Sequence, residues 1–126
     1  MSVAIRELGL RDRVALERLL DVCSPGWVDA LAPGASGPLA FVADPSSFVF
    51  GVYRDGEPVG WAWGNHVKRP DGAAVSLIHE LSLVGADCDH SLADMLVDAA
   101  FGLARRSGCA ELWHLSADAP LKTWSC

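Results

Sequence analysis

Between Asp12 and Cys23 the apolar residues Val14, Leu16, Leu19, Leu20 and Cys23 recur near helical spacing, while Arg13, Glu17, Arg18 and Asp21 take the opposite side. This period predicts a helix buried on one face, with Asp12 as its cap and Ser24-Pro25-Gly26 as its stop. A second such stripe, Leu92, Met95, Leu96, Ala99, Ala100 and Leu103, runs from a Ser91 cap with Asp94 three residues on to Arg105-Arg106, and Gly108 ends it. The remaining apolar runs read as strands. Residues 3 to 6 form a short one. Phe48 to Tyr53 and Pro58 to Val67 flank an Asp55-Gly56 hairpin, and Arg69-Pro70-Asp71-Gly72 turns the chain into Ala74 to Val84. Ala110 to Ser116 follows the second helix, so its pairing with 77 to 84 must be a parallel crossover. Residues 24 to 47, rich in Pro and Gly, predict a loop holding short helices near Val28 to Leu31 and Leu39 to Ala43.

Strand alternation places Leu77, His79, Leu81 and Leu83 on one face and Ile78, Glu80 and Ser82 on the other. Glu80 is a candidate base or clamp for a substrate amine, against the plainer role of a solvated structural carboxylate. His79 is a candidate base, against a half-buried, hydrogen-bonded histidine. Trp61 and Trp63 alternate on one strand face and either line an apolar substrate groove or pack against a helix. His66 reads as a surface residue.

Composition narrows the classes. At 126 residues the chain has room for one domain, and 51% hydrophobic residues exclude a disordered chain. Ten Lys plus Arg against 16 Asp plus Glu, a formal charge of -6, argue against nucleic-acid binding and suit a cationic or amine substrate. No apolar run reaches the roughly 20 residues that span a bilayer, and the charged N-terminus does not read as a signal peptide, which predicts the cytoplasm and no membrane partner. Cys23, Cys88, Cys109 and Cys126 include no CxxC pair and read as reduced thiols, with Cys23 and Cys109 as small core residues. The run Asp87-Cys88-Asp89-His90 lacks a second matched pair of ligands, so no metal site is expected, and its carboxylates oppose a reactive Cys88.

The order strand, helix, irregular helical stretch, three-strand meander, loop, long helix, strand resembles the GCN5-related N-acetyltransferase (GNAT) family. The segment DPSSFVFGVYRDGEPVGWAWG (44 to 64) looks like that family's second and third strands. LVDAAFGLARRSGCAELWHLS (96 to 116) looks like its third helix and fifth strand. RPDG and HELSLV, at 69 to 72 and 79 to 84, are similar to the branch containing GNAT-type aminoglycoside 3-N-acetyltransferases. The resemblance implies an α+β fold: a mixed, mostly antiparallel sheet flanked by helices. Few residues follow 116, so the family's last two strands are expected to be missing, with a partner chain, in a homodimer, covering the edge they leave.

The activity implied is transfer of an acetyl or other acyl group from acetyl-CoA or a related thioester to a small amine, aminoglycoside-like given the acidic balance. Glu80 and His79 would be the catalytic residues and Trp61 and Trp63 would contact substrate. Leu81, Ser82, Leu83 and Val84 would hold the pantetheine arm, and Ser91, Leu92 and Ala93 the pyrophosphate at a helix N-terminus. Two departures stand beside this. Of the family's phosphate-loop pattern only Ala93 conforms among Cys88 to Ala93, and Asp87 and Asp89 bring negative charge where arginines are usual. The single tyrosine, Tyr53, is not in the family's general-acid position. A non-catalytic GNAT-like binding or regulatory module, and a GNAT fold reused for chemistry without CoA, therefore stay open beside the acyltransferase.

Overall fold

The computed structural model describes residues 2–31, 33–34, 37–84, 90–114 and 122–124, with backbone alone at 90 and 122–124. In chain order the elements are β1 (Val3–Glu7), α1 (Arg13–Cys23), α2 (Trp27–Ala30), α3 (Pro38–Ala43), β2 (Ser47–Arg54), β3 (Glu57–Lys68), β4 (Ala74–Leu83), α4 (His90–Arg106), β5 (Glu111–His114) and β6 (Lys122–Trp124). The strands form one mixed sheet in the order β1-β2-β3-β4-β5-β6, antiparallel throughout except for the predicted parallel pair β4–β5. This is the α+β architecture the sequence predicts.

Each face of the sheet carries its own core. On one, α4 lays Leu92, Leu96 and Ala100 over Phe48, Phe50, Val52, Ala62, Ile78 and Leu112. On the other, Leu16 and Leu19 of α1 pack on Val49 and Trp61, with Phe41 and Val42 of α3 beside them. The alternation of β2 and β3 thus feeds both layers, as expected of a sheet covered on both sides. Asp55 (φ 51°) and Gly56 (φ 83°) adopt left-handed conformations in the β2–β3 turn, matching the twist of a two-residue hairpin.

Several local expectations are corrected. Asp12 precedes α1 but makes no capping hydrogen bond. Its carboxylate instead accepts from the Gly9 amide (2.8 Å) and pairs with Arg6 (2.7 Å), tying the β1–α1 connection. Val14 belongs to the wet side of α1, 79% exposed, because the helix turns Leu16 and Leu19 inward. Helix α4 begins at His90, which puts Ser91 inside the first turn rather than at the cap. The edge of β5 is not left bare: β6 pairs with it antiparallel from Leu112–Trp124 to His114–Lys122. One strand beyond the fifth is therefore present, and β6 rather than β5 forms that edge among the described residues.

Candidate functional site

The site is built around an irregularity in β4. Trp63 pairs with Glu80, but the next β3 residue, Gly64, pairs with Ile78, so His79 is an extra residue in a β-bulge. A bulge reverses the phase of alternation. Ile78 before it and Leu81 and Leu83 after it all face α4, while Glu80 and Ser82 face the α1 layer with Trp61 and Trp63. The predicted separation of His79 from Glu80 onto opposite faces is therefore wrong, and both meet Trp63. His79 is exposed, not half-buried, and stacks on the Trp63 indole with centroids 5.1 Å apart and planes inclined by 7°. Gly64 makes the bulge possible, since a Cβ there would overlap the Leu77 carbonyl. A lone glycine inside a strand pattern is the sequence signal for such a close approach.

Glu80 sits in a set of directed hydrogen bonds. Trp63 Nε1 donates to Glu80 Oε1 (3.1 Å), Ser82 Oγ donates weakly to Oε2 (3.4 Å), and Trp61 Nε1 donates to Ser82 Oγ (2.9 Å). Among the described residues no cation pairs with this carboxylate. Its charge nevertheless reaches Cys23 at the end of α1, whose thiol is pushed up to about 11, first by burial and then by Glu80. His79 Nε2 meets Asn65 Oδ1 at 2.5 Å. An amide oxygen only accepts, so Nε2 carries the proton and Nδ1 the lone pair. Asn65 and Ser82 thus hold the two candidate bases, a role that sequence reading did not give them.

Beside this cluster β4 and β5 part company. Their pairing runs from Val75–Glu111 to Ile78–His114, and among the described residues β4 has no partner on that side beyond Ile78. The Val84 amide donates to Val59 O on the β3 side. By strand alternation the Leu81 and Leu83 backbone groups then point to the opposite, open edge. The side chains of Leu81 and Leu83 are committed to the core, as is that of Leu92, 2% exposed. It is the main chain of Leu81 and Leu83 that faces the edge where a ligand could pair. Ser91 is exposed and Ala93 half-buried in the first turn of α4. The phosphate-loop residues Cys88 and Asp89 lie outside the described residues, as do Asp87 and Cys126.

On the α1 face a cavity of about 290 Å³ lies between Leu16 and Leu20 of α1, Trp27 of α2, Phe41 of α3, and Trp61 and Trp63 of β3. Trp61 and Trp63 therefore both pack against helices and line a pocket. Phe41 stands edge-on to Trp63, with centroids 5.8 Å apart. His66 is not a surface residue: it hydrogen-bonds Ser76 Oγ (2.6 Å) and packs against Phe48 on the α4 face, away from the cluster. Cys109 is buried and Cys23 half-buried, both as free thiols. Among the described residues, no three His, Cys, Asp or Glu side chains gather as a metal site would require, and no helix is long and apolar enough to cross a membrane.

This mixed sheet flanked by helices, with its single parallel pair β4–β5 parting beyond Ile78, matches the fold of solved GCN5-related N-acetyltransferases. An aminoglycoside acetyltransferase, HMB0005, from an uncultured soil metagenomic sample superposes with a TM-score of 0.81 at 16% identity, over 94% of this chain and 82% of that one. A second from such a sample, meta-AAC0020, solved in complex with sisomicin, gives 0.75 at 13% identity, over 90% and 77%. A predicted acetyltransferase from Clostridium acetobutylicum, solved with acetyl-CoA, gives 0.67 at 10% identity, over 91% and 81%. No protein-family model matches the sequence, and a sequence search of curated proteins finds no match.

Proposed function

We propose that this protein is an acyl-CoA-dependent N-acyltransferase that works on a small amine in the cytoplasm. The observation that carries the reading is the juxtaposition of the β4 edge at Leu81 and Leu83, which no described strand pairs, with the neighbouring Glu80 carboxylate, which no described cation pairs. Acetyl-CoA, as found with the Clostridium acetobutylicum neighbour, would bring an activated thioester whose carbonyl the amine would attack, the C–N bond forming as the C–S bond breaks and CoA leaves as the thiol, protonated by the proton the amine gives up. The open edge fits an extended amide-bearing arm, because its backbone groups await donors and acceptors of that kind. Main-chain N–H groups of Ser91, Leu92 and Ala93, at the start of a 17-residue helix, would face the anionic end.

The chain's own groups supply the rest. Glu80 attracts an ammonium and orients it with Oε1 and Oε2 fixed by Trp63 and Ser82. The nucleophile must be the neutral amine, so a proton has to leave the nitrogen. Glu80 holds it in a charge-assisted hydrogen bond, and His79 Nδ1, its partner nitrogen held by Asn65, offers the second acceptor. The indoles of Trp61 and Trp63 exclude water beside the carboxylate, which strengthens its pull on a cation.

The test is thiol release from acetyl-CoA with a panel of primary amines. Wild-type protein should turn over at least one amine, and Glu80→Gln, which keeps the Trp63 hydrogen bond while removing the charge, should lower kcat/KM by about 10²-fold or more. No turnover of any amine, together with no acetyl-CoA binding at millimolar concentration, would return the protein to a binding or regulatory role.

A further inference from the structure

Resting on the acyltransferase reading with Glu80 at the amine, we infer that the acceptor is a monoamine with an aromatic or branched apolar body, seated in the cavity between α1, α2, α3 and β3. A polyhydroxylated aminoglycoside does not suit this site.

The lining decides the chemistry. Among the described residues no lining side chain carries a charge or a hydroxyl, and the walls are leucine, valine and proline side chains, Phe41 and three indoles. The polar atoms of those indoles are spoken for: Trp27 Nε1 donates to Asp21 Oδ1 (2.9 Å), Trp61 Nε1 to Ser82, and Trp63 Nε1 to Glu80. A sugar ring placed here would lose water from each hydroxyl and gain no partner, an uncompensated cost. An apolar body loses nothing of the kind. A cavity of about 150 Å³ lined by aliphatic and aromatic side chains holds benzene, so about 290 Å³ holds one ring with an alkyl arm or a fused pair of rings.

The cation is placed by the same residues. Trp61 and Trp63 belong to the cavity wall by their rings and to the Glu80 cluster by their nitrogens. Along α1, Leu16 and Leu20 line the cavity, and one turn on Cys23 senses the Glu80 charge. The apolar wall therefore leads to one carboxylate that no described cation pairs. That is complementary to a molecule with a single ammonium at one end of an apolar body, and indole faces add attraction for the cation.

Calorimetry without acetyl-CoA, using phenethylamine, its uncharged analogue 2-phenylethanol, and kanamycin, separates the possibilities. Phenethylamine should bind at least tenfold more tightly than either of the others, and Glu80→Gln should abolish its advantage over 2-phenylethanol. Leu20→Trp fills the cavity and should weaken phenethylamine tenfold or more. Leu31→Lys, at a lining position 42% exposed where folding is safe, should weaken it severalfold. Kanamycin binding as tightly as phenethylamine, or phenethylamine binding untouched by both cavity variants, would overturn the inference. So would a Leu20→Trp protein that loses hexanoyl-CoA use while keeping phenethylamine affinity, because the cavity would then serve the donor's acyl chain. Cavity-dependent phenethylamine binding with no acyl transfer would keep the apolar monoamine as the cavity's ligand and bring down the acyltransferase reading, and with it the acceptor role, instead. Preferred acylation of kanamycin would do the reverse.

Discussion

Adding one methyl group at Gly64 should damage both the fold and the site. The new Cβ of Gly64→Ala would meet the Leu77 carbonyl, its carbon 2.8 Å away, and Phe48 Cζ 2.9 Å away. Phe48 is 2% exposed and packed in the α4 core, so its ring has no free volume to enter. Leu77 cannot retreat either, since it pairs with Asn65 of β3 on one side and Trp113 of β5 on the other. Overpacking a filled core costs about 1–3 kcal/mol. With main chain as the obstacle the loss should reach the upper end, about 3 kcal/mol, or a fall in Tm of about 12 °C for a chain of this size. Gly9→Ala is the control, because its Cβ would meet nothing nearer than Asp12 Oδ2 at 4.0 Å and should move stability by less than about 0.5 kcal/mol. Urea unfolding followed by far-UV circular dichroism measures both. If Gly64→Ala loses no more than Gly9→Ala, the bulge does not depend on that close approach and the placement of His79 and Glu80 derived from it is wrong.

Two further outcomes follow from individual groups. Burial holds the His66 imidazole below its ordinary value of 6.5, against a smaller opposing pull from Glu7, so the folded protein resists protonation that the unfolded chain accepts. The urea midpoint should be steady above about pH 7 and fall as pH drops through 6.5 toward the lowered folded value. His66→Asn should flatten that part of the profile, and an unchanged slope would contradict the assignment. With its thiol pushed up to about 11, Cys23 should react with iodoacetamide at pH 8 about 100-fold more slowly than an ordinary thiol at 9.0, as followed on its own peptide by mass spectrometry. Glu80→Gln should speed that labelling, whereas a rate equal to that of the urea-unfolded chain would mean that neither burial nor Glu80 acts on the thiol.

The order of elements through β5 was already written in the sequence, and so were both long helices, the Asp55-Gly56 hairpin and the parallel crossover into β5, whereas β6 was not. Those features rest on local periods and on turn residues whose backbone preferences act within a few positions. The same periods read Val14 as core and Asp12 as a cap. There the tertiary contacts of Arg6 and Gly9 with Asp12, and the roll of α1 onto the sheet, outweighed the local preference. The candidate site could be named in the sequence as residues, Trp61, Trp63, His79 and Glu80, but not as an arrangement. Strict alternation sends His79 and Glu80 to opposite faces, and only the bulge opposite Gly64, fixed by how β3 and β4 pair, turns both toward Trp63. The apolar cavity is likewise a product of three helices converging from separate stretches of chain, each of them amphipathic or irregular on its own. Sequence alone thus determined the first five strands and the two long helices, because these follow local periods and turn residues. Tertiary structure decided which side chains meet at Glu80 and that an apolar cavity lies behind the same indoles, because register and helix placement are set by long-range packing.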